Sequence, residues 1–416
     1  MNKLALFGGN PIQDEPLPEF NTLGKEEIDA ATRVINSGTL SGFVANNSEA
    51  FNGGDEVLEL ERIFSKRFQK KFAVSYNSAT SALHSALIAC GIGDGDEVIT
   101  SPYTMSASAT SILMANAKPI FADIEIDNFC IIPKHVEDLL TSKTKAVVAV
   151  NIFGQPADLK SLSKICKKYN IYLIEDNSQA PFALCEGDYT GTIGDIGVFS
   201  FNRHKAMQCG EGGVSITNNS ELHQRMILQR NHGEVIMPYL SKKNVDKYID
   251  IVGYNYRLTD LQASIAIEQF KKVESITVHR VGLAEYLNEA LSEFDFLTIP
   301  KIRDNCTHVY YLYSMLYNQK ILGVSRDKFA EALSAEGFPV FNYVIPLYRL
   351  PLFVAMNKAE RRYKNEDFKN TEECWKNSML ATNICRWPLN REYMDKFVMA
   401  IKKVADNAEY LADIES

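Results

Sequence analysis

The sequence predicts an α/β protein with two domains: a large domain with a mainly parallel sheet flanked by helices, and a smaller C-terminal α/β domain. Three observations support this fold class. Short apolar segments alternate with segments of helical spacing, several of the short segments are apolar nearly throughout, and the pattern changes near residue 265. Strands that helices cover on both faces are expected to be apolar in this way. Alternating strands and helices are typical of a doubly wound parallel sheet.

The predicted elements follow one another in a regular order. Helical spacing over 57–70 precedes a β-rich run at 71–76, and a second helix at 81–90 ends at Gly91. Further strand-like runs follow at 97–101, 118–124, 146–153, 171–175, 196–201 and 213–217. An amphipathic helix at 261–286 leads into mixed segments that include a strand-like run at 309–317. We therefore expect a large domain with an N-terminal arm at 1–265 and a small domain at 266–416.

Composition excludes several classes of protein. The chain has 416 residues, of which 46% are hydrophobic and 23% are charged, the mixture of a globular protein with a sizeable core. Its 44 lysines and arginines against 52 aspartates and glutamates give a net charge of −8, which argues against a nucleic-acid-binding surface. No segment contains the roughly 18 uncharged apolar residues of a membrane helix, and the apolar run at 4–7 is shorter than that of a signal peptide.

The eight cysteines are scattered and include no CxxC pair. Zinc ribbons need paired cysteines, and a disulfide framework is unusual in a long chain without a signal peptide. The sequence therefore predicts reduced thiols, no metal site and a cytoplasmic protein.

Three segments at the predicted carboxyl ends of strands could carry chemistry, because ligands of such sheets bind beyond these ends. Ser78, Ala79 and Thr80 open a helix, where backbone N–H groups favour a phosphate, although an ordinary capped turn has the same pattern. Asp176 follows an apolar strand and could pair with a heterocyclic nitrogen or a metal, or simply cap a helix. Lys205 follows another strand, in a position that also suits a solvated surface lysine.

In their order and spacing these segments resemble those of the DegT/DnrJ/StrS family of pyridoxal-phosphate-dependent sugar aminotransferases, which have the aspartate aminotransferase fold (fold type I). The resemblance extends over roughly residues 10–410 and rests on nine segments. They are SGTLSG (37–42), NSATSALHSAL (77–87), GIGDGDEVITSPYT (91–104), AKPIFADI (117–124), FGQPADL (153–159), IEDNSQA (174–180), SFNRHK (200–205), GEGG (210–213) and GYNYRLTDLQAS (253–264). The resemblance implies pyridoxal 5'-phosphate as the cofactor.

The resemblance also implies a role for each matching residue near the cofactor ring. Lys205 matches the lysine that forms the internal aldimine with the cofactor's aldehyde and later moves a proton. Asp176 matches the carboxylate that keeps the pyridine nitrogen protonated, so that the ring accepts electrons. Gln179 matches the side chain that faces the ring hydroxyl.

A second group of matching residues surrounds the phosphate. Ala79 and Thr80 match its backbone N–H donors, beside Ser78 at the same helix start, and Ser200 matches a hydroxyl donor. Asn255 matches a residue that reaches the phosphate from the neighbouring subunit. The resemblance therefore implies a homodimer with shared active sites.

The chain departs from the family pattern at three positions. Met105 aligns where an aromatic residue often stacks on the ring, so either Met105 packs there as a polarisable thioether or Tyr103 takes its place. Ala79 stands where glycine is common, which still lets a phosphate approach. Asn151 stands where histidine is frequent.

Other polar residues have less specific interpretations. Arg203 and His204 could contact either the substrate or a second subunit, and Glu211 is expected to shape its turn. We expect an interface role for residues 230–233, Tyr254, Tyr256 and Arg257, sheet packing for His308, Tyr310, Tyr311 and Tyr313, and a place at the substrate mouth for Asn342, Tyr343 and Tyr348.

The resemblance predicts an aminotransferase that moves an amino group from L-glutamate, or L-glutamine, to a keto-sugar, which we expect to be a nucleotide-linked keto-deoxysugar. A cyclitol ketone, a keto-octulosonate or a small phosphorylated ketone is an alternative acceptor. In the family's deoxygenating branch a histidine replaces the lysine, so Lys205 argues against that activity. A non-catalytic regulatory protein that binds the cofactor is an alternative of another class, which the presence of Lys205 and Asp176 disfavours.

Overall fold

The computed structural model describes residues 3–44, 48–233, 250–360 and 363–415. Within these ranges the strands are β1 (Phe72–Tyr76), β2 (Glu97–Thr100), β3 (Lys118–Phe121), β4 (Thr144–Val150), β5 (Tyr172–Asp176), β6 (Leu184–Cys185), β7 (Asp188–Tyr189), β8 (Ile196–Ser200), β9 (Gly213–Thr217), β10 (Leu297–Thr298), β11 (Tyr313–Tyr317) and β12 (Met379–Thr382).

The α-helices of the same ranges are α1 (Lys25–Ser37), α2 (Asp55–Arg67), α3 (Ala79–Ala89), α4 (Ala107–Met114), α5 (Pro133–Asp138), α6 (Leu159–Tyr169), α7 (Ser220–Arg230), α8 (Asp260–Leu291), α9 (Gln319–Leu322), α10 (Arg326–Ala335), α11 (Pro351–Glu360), α12 (Lys369–Glu373), α13 (Arg391–Asp406) and α14 (Ala408–Glu415). None of the described helices is long and apolar enough to cross a bilayer.

Seven of the strands form one sheet in the order β1-β9-β8-β5-β4-β2-β3. Strand β9 runs antiparallel to both of its neighbours, and every other pairing in this sheet after β8 is parallel. The predicted α/β fold with a mainly parallel sheet is confirmed. Because β1 and β8 both run antiparallel to β9, the carboxyl ends of β1, β8, β5, β4 and β2 lie along one edge of the sheet.

The sheet is buried by helices whose sequences suit that position. Helix α3 consists largely of alanine, serine and leucine and is buried on nearly every face, as expected for a helix enclosed on all sides. In β4 the alternation of exposed and apolar residues is absent, since 146–149 are fully buried on both faces. The predicted strand at 146–153 ends earlier than expected, at Val150, because residues 152–154 form a 3₁₀ turn in which Phe153 has a positive φ of 58°.

Helix α8 connects the two parts of the chain. Thr259 caps its first turn together with Gln262, and the helix continues to Leu291, five residues beyond the predicted end. The buried Asp260 carboxylate accepts hydrogen bonds from the Gly42 amide at 2.6 Å and from the Glu56 amide at 3.0 Å. Through this carboxylate, the start of α8 holds both the N-terminal arm and the first turn of α2.

A three-stranded antiparallel sheet, β10-β11-β12, forms the second part with α10 and α13 around a separate apolar cluster. Residues near the N-terminus pack against it: Leu4 belongs to the cluster, and the buried Glu336 carboxylate accepts from the Ala5 amide at 2.9 Å and from Lys403 Nζ at 2.8 Å. The predicted domain boundary at residue 265 falls inside α8. The division into 1–265 and 266–416 stays a prediction.

The strand-like run predicted at 309–317 is a strand only from Tyr313. Tyr310 has a positive φ of 46°, and its amide donates to His308 Nδ1 at 2.8 Å, so this stretch is a turn and not an extended strand. The turn brings Tyr311 to the carboxyl edge of the large sheet, where the candidate site lies.

Candidate active site

The start of α3 provides backbone donors for an anion. Ser78 caps the helix, and its hydroxyl accepts from the Ser81 amide at 3.1 Å. The amides of Ala79 and Thr80 have no acceptor among the described residues. Free N–H groups in the first turn of a helix are the donors that bind phosphate in many proteins.

Ser200 is placed beside this helix start by the strand register. Gly213 pairs with Tyr76 on one side and with Ser200 on the other. A Cβ atom at Gly213 would lie 2.8 Å from the Ala79 nitrogen, so a glycine is needed where β9 passes the helix start. Ser200 is therefore paired with the same glycine that passes close to the free amides of α3.

Asp176, the last residue of β5, presents a fixed carboxylate at the same edge. It is 6% exposed, its Oδ2 accepts from the Ser108 hydroxyl at 2.7 Å, and its Oδ1 accepts from the Ser178 amide at 3.2 Å. No lysine or arginine of the described residues forms an ion pair with it. A buried carboxylate without a cationic partner is a suitable place for a protonated heterocyclic nitrogen.

Glu175 has a different role, because neighbouring residues of a strand point to opposite faces. Its fully buried carboxylate accepts from the amides of Gly191, Ile193 and Gly194 at 2.6–2.7 Å. Burial raises the pKa of this carboxyl group above its ordinary value, and the three amides oppose that rise. Glu175 thus secures the loop before β8, while Asp176 faces the site.

Asn151, which stands where the family often has histidine, has a structural role in this arrangement. Its Nδ2 donates to Asn177 Oδ1 at 3.0 Å and lies 3.4 Å from Glu175 Oε2, and its Oδ1 accepts from the Ala157 amide at 2.9 Å. The side chain is completely buried. Asn151 therefore connects the loops that follow β4 and β5 and does not face the open site.

Gln179 is held on two sides. Its Oε1 accepts from the Phe153 amide at 2.9 Å, and its Nε2 donates to the Tyr343 hydroxyl at 2.8 Å. Burial, with Tyr311 adding to it, raises the pKa of Tyr343, so this hydroxyl stays protonated at neutral pH. Tyr343, predicted for the substrate mouth, is therefore in contact with a residue predicted to face the ring.

Lys205 lies in the loop after β8, where its amide donates to the Asn202 carbonyl at 2.8 Å. Its Nζ lies 4.4 Å from the centroid of the Tyr311 ring. Tyr311 packs against an apolar cluster that includes residues of β12, and the turn at Tyr310 also brings its ring to the lysine. Among the described residues, Lys205 has no carboxylate partner.

The two alternatives for the residue over the ring differ in exposure. Met105 is 58% exposed, whereas Tyr103 is completely buried. The Tyr103 hydroxyl donates to Asn342 Oδ1 at 3.1 Å and its ring packs edge-on against Tyr343. Met105 is thus the accessible side chain of the two, and its place over a ring stays a prediction.

Asn255 lies at the surface of this single chain. Its carbonyl oxygen accepts from Asn77 Nδ2 at 3.4 Å, and its Oδ1 accepts from the Arg257 amide at 3.4 Å. The segment is therefore next to the turn that precedes α3. A contact from Asn255 to a neighbouring subunit's phosphate stays a prediction.

A pocket of 460 Å³ opens beside Lys205, between the loop after β8, α8, the N-terminal arm and the smaller sheet. Its lining includes Arg203, His204, Arg280, Arg386, Tyr311 and Tyr343. Burial, with Arg203 and Lys205 adding to it, lowers the pKa of His204, so this imidazole is neutral at pH 7. The pocket is hydrogen-bonding, cationic and large enough for a polar ligand.

Three further residues singled out in the sequence make contacts within the chain. Arg230 is fully buried and pairs with Glu61 at 2.5 Å, so it stabilises the interior. Glu211 accepts from Asn202 Nδ2 at 2.8 Å and shapes its turn as expected. Tyr348, predicted for the substrate mouth, is buried and donates to Glu372 at 2.6 Å, away from the pocket beside Lys205.

Three residues of the site have no signal in the sequence. Ser108, which orients Asp176, lies in an ordinary helical segment. Arg280 and Arg386 come from α8 and from the loop after β12, where single arginines look like surface residues. Only their burial beside Lys205 distinguishes them, and burial at a site made from distant segments is not visible in the sequence.

The residues at this edge fit pyridoxal phosphate. Free amides at Ala79 and Thr80 suit its phosphate, the unpaired Asp176 carboxylate suits its ring nitrogen, and Lys205 supplies the amine that its aldehyde needs.

Comparisons with known proteins agree with this fit. The model of the DegT/DnrJ/EryC1/StrS aminotransferase family matches residues 24–394. A putative L-glutamine:3-amino-2,3-dideoxy-scyllo-inosose aminotransferase of Micromonospora echinospora is 34% identical over 361 residues, which cover 84% of this chain and 82% of the relative. GDP-perosamine synthase of Caulobacter vibrioides is 31% identical over 325 residues, 77% of this chain and 83% of the relative.

Solved structures show the same fold. Helicobacter pylori PseC, an aminotransferase involved in the biosynthesis of pseudoaminic acid, is 26% identical with a TM-score of 0.81, and the match covers 95% of this chain and 100% of that one. The chain therefore belongs to the DegT/DnrJ/EryC1/StrS aminotransferase family and is a pyridoxal-phosphate-dependent aminotransferase of fold type I.

Proposed function

We propose that this aminotransferase moves an amino group from L-glutamate or L-glutamine to a nucleotide-linked keto-deoxysugar. The observation that carries the proposal is the grouping of Lys205, Asp176 and the free amides of α3 at one sheet edge, beside a pocket lined by three arginines. A large polar acceptor needs an open, hydrogen-bonding entrance of this kind.

Each residue at the sheet edge has a physical task in this proposal. Ala79 and Thr80 bind the cofactor's phosphate through their amides, together with the hydroxyls of Ser78 and Ser200. Asp176, oriented by Ser108, keeps the ring nitrogen protonated, and Gln179 positions the ring hydroxyl. The bound cofactor supplies an electron sink for the charge left when the donor's α-proton is removed.

Lys205 is the proton carrier of the proposal. Its Nζ takes the proton from the α-carbon of the donor, and later returns a proton to the carbon of the acceptor that receives the nitrogen. The Tyr311 ring, whose centroid lies 4.4 Å from Nζ, limits the space in which the amine moves. Met105, which is 58% exposed and whose carbonyl oxygen accepts from the Ser108 amide at 3.2 Å, is the side chain that covers the ring in this proposal.

One comparison supports a second acceptor class, the cyclitol ketones. The relative from Micromonospora echinospora is named for a scyllo-inosose, a cyclitol ketone, and for L-glutamine as donor. The relative from Caulobacter vibrioides is named for a GDP-linked sugar. We favour the nucleotide-linked acceptor because an uncharged cyclitol leaves the pocket's arginines without a counter-charge.

We also propose that the active form is a homodimer. Ile28 and Ile35 are 66% and 56% exposed on one face of α1, seven residues apart, and Val252 near Asn255 is 68% exposed. Exposed aliphatic side chains are expected at a subunit interface. A second chain that covers them would bring its own Asn255 to a shared site.

The first experiment is the visible absorption spectrum of the purified protein before and after L-glutamate, with L-glutamine in parallel. We expect a yellow protein whose long-wavelength band decreases when the correct donor is added. A yellow protein that responds to neither amino acid would contradict the proposed donors and favour a regulatory role. A colourless protein that pyridoxal phosphate cannot turn yellow would contradict the role of Lys205.

A further inference from the structure

Two arginines of the pocket have no partner among the described residues. Arg280, on α8, is only 4% exposed, yet its guanidinium forms neither a hydrogen bond nor an ion pair there. Arg386, in the loop after β12, has a buried Nε without a hydrogen-bond partner. A buried guanidinium with no acceptor is destabilising unless a ligand supplies the acceptor.

Both guanidinium groups keep their charge. Burial lowers the pKa of Arg280 to about 10, and it lowers the pKa of Arg386 although Glu19 acts against it. Neither loses its proton at neutral pH, because guanidinium groups are very weak acids. The pocket therefore carries two neighbouring positive charges that repel each other until an anion lies between them.

The charge of the pocket points to the class of anion. Arg203 adds a third positive charge, His204 is neutral, and Glu19 is the carboxylate of the described lining, so two positive charges are in excess. One guanidinium is enough for the single charge of a carboxylate, which it binds with two parallel hydrogen bonds. A phosphate monoester or a diphosphate linker, each with about two negative charges and several acceptor oxygens, matches the excess more closely.

The position of the pocket assigns this anion to a substrate. Tyr311, which contacts Lys205, and Tyr343, which contacts Gln179, lie between the catalytic edge and the arginines. A ligand with its reactive carbon at Lys205 reaches the arginines by extending past Tyr311.

We propose that Arg280 and Arg386 bind the phosphoryl group of the amino acceptor and thereby select phosphorylated or diphosphate-linked keto-sugars over neutral cyclitols. This inference rests on the proposed function, because it takes the pocket beside Lys205 to be the acceptor's entrance. The two arginines are specificity-determining residues, and the proton transfers remain with Lys205.

The test is an anion titration of the holoenzyme by calorimetry, in which the cofactor already fills the phosphate site at α3. The probes are inorganic pyrophosphate, UDP and inorganic phosphate. We expect wild-type protein to bind pyrophosphate or UDP, and Arg280→Met and Arg386→Met to weaken that binding at least tenfold. Arg62→Met, which removes an exposed arginine paired with Glu59, is the matched control and should change nothing.

The probes separate the two sources of the phosphoryl group. Tighter binding of pyrophosphate and UDP than of inorganic phosphate supports a diphosphate linker, whereas equal or tighter binding of inorganic phosphate supports a phosphate ester. The absence of binding to wild-type protein would overturn the inference. Should Arg280→Met fail to fold, Arg386→Met carries the test, since Arg386 is partly exposed in a loop.

The half-reaction with the amino donor tests the alternative that the two arginines bind the donor's carboxylate. The rate and concentration dependence of the spectral change with L-glutamate or L-glutamine should stay within about twofold of wild type in both variants. If this half-reaction weakens tenfold while pyrophosphate binding is unchanged, the arginines bind the donor's carboxylate and the inference is wrong. A wild-type protein that binds pyrophosphate but responds to neither donor would contradict the proposed function and leave the anion site standing.

A different observation concerns Cys185 and Cys306, which face each other in an antiparallel bridge. The Glu186 amide donates to the Asn305 carbonyl, and the Thr307 amide to the Leu184 carbonyl, both at 2.9 Å. These bonds flank the cysteines, which therefore form a non-hydrogen-bonded pair. Such pairs have Cα atoms about 4.5 Å apart and side chains on one face, within the range that a disulfide spans.

We infer that Cys185 and Cys306 are a site of reversible disulfide formation, with oxidised glutathione as the oxidant. The partly exposed Cys306 thiolate attacks one sulfur of oxidised glutathione and releases one glutathione thiolate. The Cys185 thiolate then attacks the Cys306 sulfur and releases the second. Two electrons pass from the protein thiols to glutathione, and the two released thiolates take up the two protons.

The second step is expected to be slow, because burial, reinforced by the neighbouring Cys306, raises the pKa of Cys185 to about 12. Incubation with oxidised glutathione, digestion and mass spectrometry should show the peptides of Cys185 and Cys306 joined, with reversal by dithiothreitol. Cys90→Ser is the control and should still form the link, whereas Cys306→Ser should not. Complete oxidation of the partly exposed thiols without this link, or loss of the link in Cys90→Ser, would overturn the inference.

Discussion

The cofactor edge of the sheet and the arginine pocket beside it are built in opposite ways. At the edge, Asp176 and Gln179 lie within four residues of each other, and each is bonded by amides or hydroxyls of adjoining loops. In the pocket, Arg280 and Arg386 come from elements more than one hundred residues apart, and both lack partners among the described residues.

This difference separates two kinds of preparation for a ligand. The edge is pre-organised, because its polar groups are already held in place by the chain and need little reorganisation when the cofactor binds. The pocket instead holds unbalanced charge, so a ligand of opposite charge completes it. Changes at the edge should therefore act on catalysis, and changes in the pocket on substrate choice.

The largest expected effect is at Lys205, the group at the edge that we propose moves protons. Lys205→Ala should still fold and bind pyridoxal phosphate non-covalently, but the half-reaction with the donor should fall by about 10³-fold or more, since a positioned proton carrier is lost. Stopped-flow absorption measures this rate. Lys164→Ala, which changes an exposed lysine on α6, is the control, and donor turnover by Lys205→Ala within tenfold of wild type would refute the assignment.

The next effect tests whether charge or shape matters at the edge. Asp176→Asn keeps the size of the side chain and an oxygen that can accept from Ser108, but it removes the negative charge that holds a ring nitrogen protonated. We expect a loss of about 10²- to 10³-fold in kcat with little change in folding stability. Wild-type kcat in this variant would mean that the carboxylate is structural.

The sequence anticipates the edge because each of its groups follows a strand directly. Ser78, Asp176 and Ser200 lie within two residues of the ends of the strand-like runs predicted at 71–76, 171–175 and 196–201, and parallel strands bring such positions together. The residues around Tyr311 predict a strand and sheet packing, and its further contact with Lys205 is not visible in the sequence because it depends on the turn at Tyr310, which has a positive φ.

The pocket could not be anticipated in the same way. Arg280 is a single arginine within the long helix α8, and nothing in its neighbours marks it as buried. Its burial without a hydrogen-bond partner depends on how α8 packs against the smaller part of the chain. Ser108 likewise has no distinctive neighbours in the sequence. Its contact with Asp176 exists because the start of α4 lies next to the end of β5 in the folded chain. Tertiary contacts of this kind have no local signal.

A smaller effect is expected at Ser108, which orients Asp176 but does not itself contact the cofactor in our proposal. Ser108→Ala removes one hydrogen bond to Asp176, whose net value is about 0.5–1.5 kcal/mol, so kcat should fall about three- to tenfold. The matched control is Ser111→Ala on the same helix, whose hydroxyl donates to the Ser108 carbonyl at 3.3 Å and not to the carboxylate. Equal losses in both variants, or a change in KM alone, would show that Ser108 does not orient Asp176.

The smallest effect concerns an arginine that has its counter-ion within the chain. Arg349 binds Glu372 with two hydrogen bonds of 2.6 and 2.8 Å, and Lys376 and Tyr348 contact the same carboxylate. Although burial alone would raise it, these partners hold the pKa of Glu372 at about 2. Because the folded pKa lies below the unfolded value, the stabilisation is present above about pH 4.5 and is lost as the pH falls towards 2.

Glu372→Gln should therefore lower the free energy of unfolding by about 1–2 kcal/mol at pH 7, a value limited by solvent screening of a partly exposed pair, and the difference should shrink steadily below about pH 4.5 and approach zero only at about pH 2 and below. Denaturant titrations of both proteins at several pH values measure it, with exposed Glu293→Gln as the control. A difference independent of pH would mean that packing, and not charge, stabilises this contact. Pyrophosphate should raise the stability of both proteins equally at pH 7, because its partners are Arg280 and Arg386, and Arg349 already has its carboxylate.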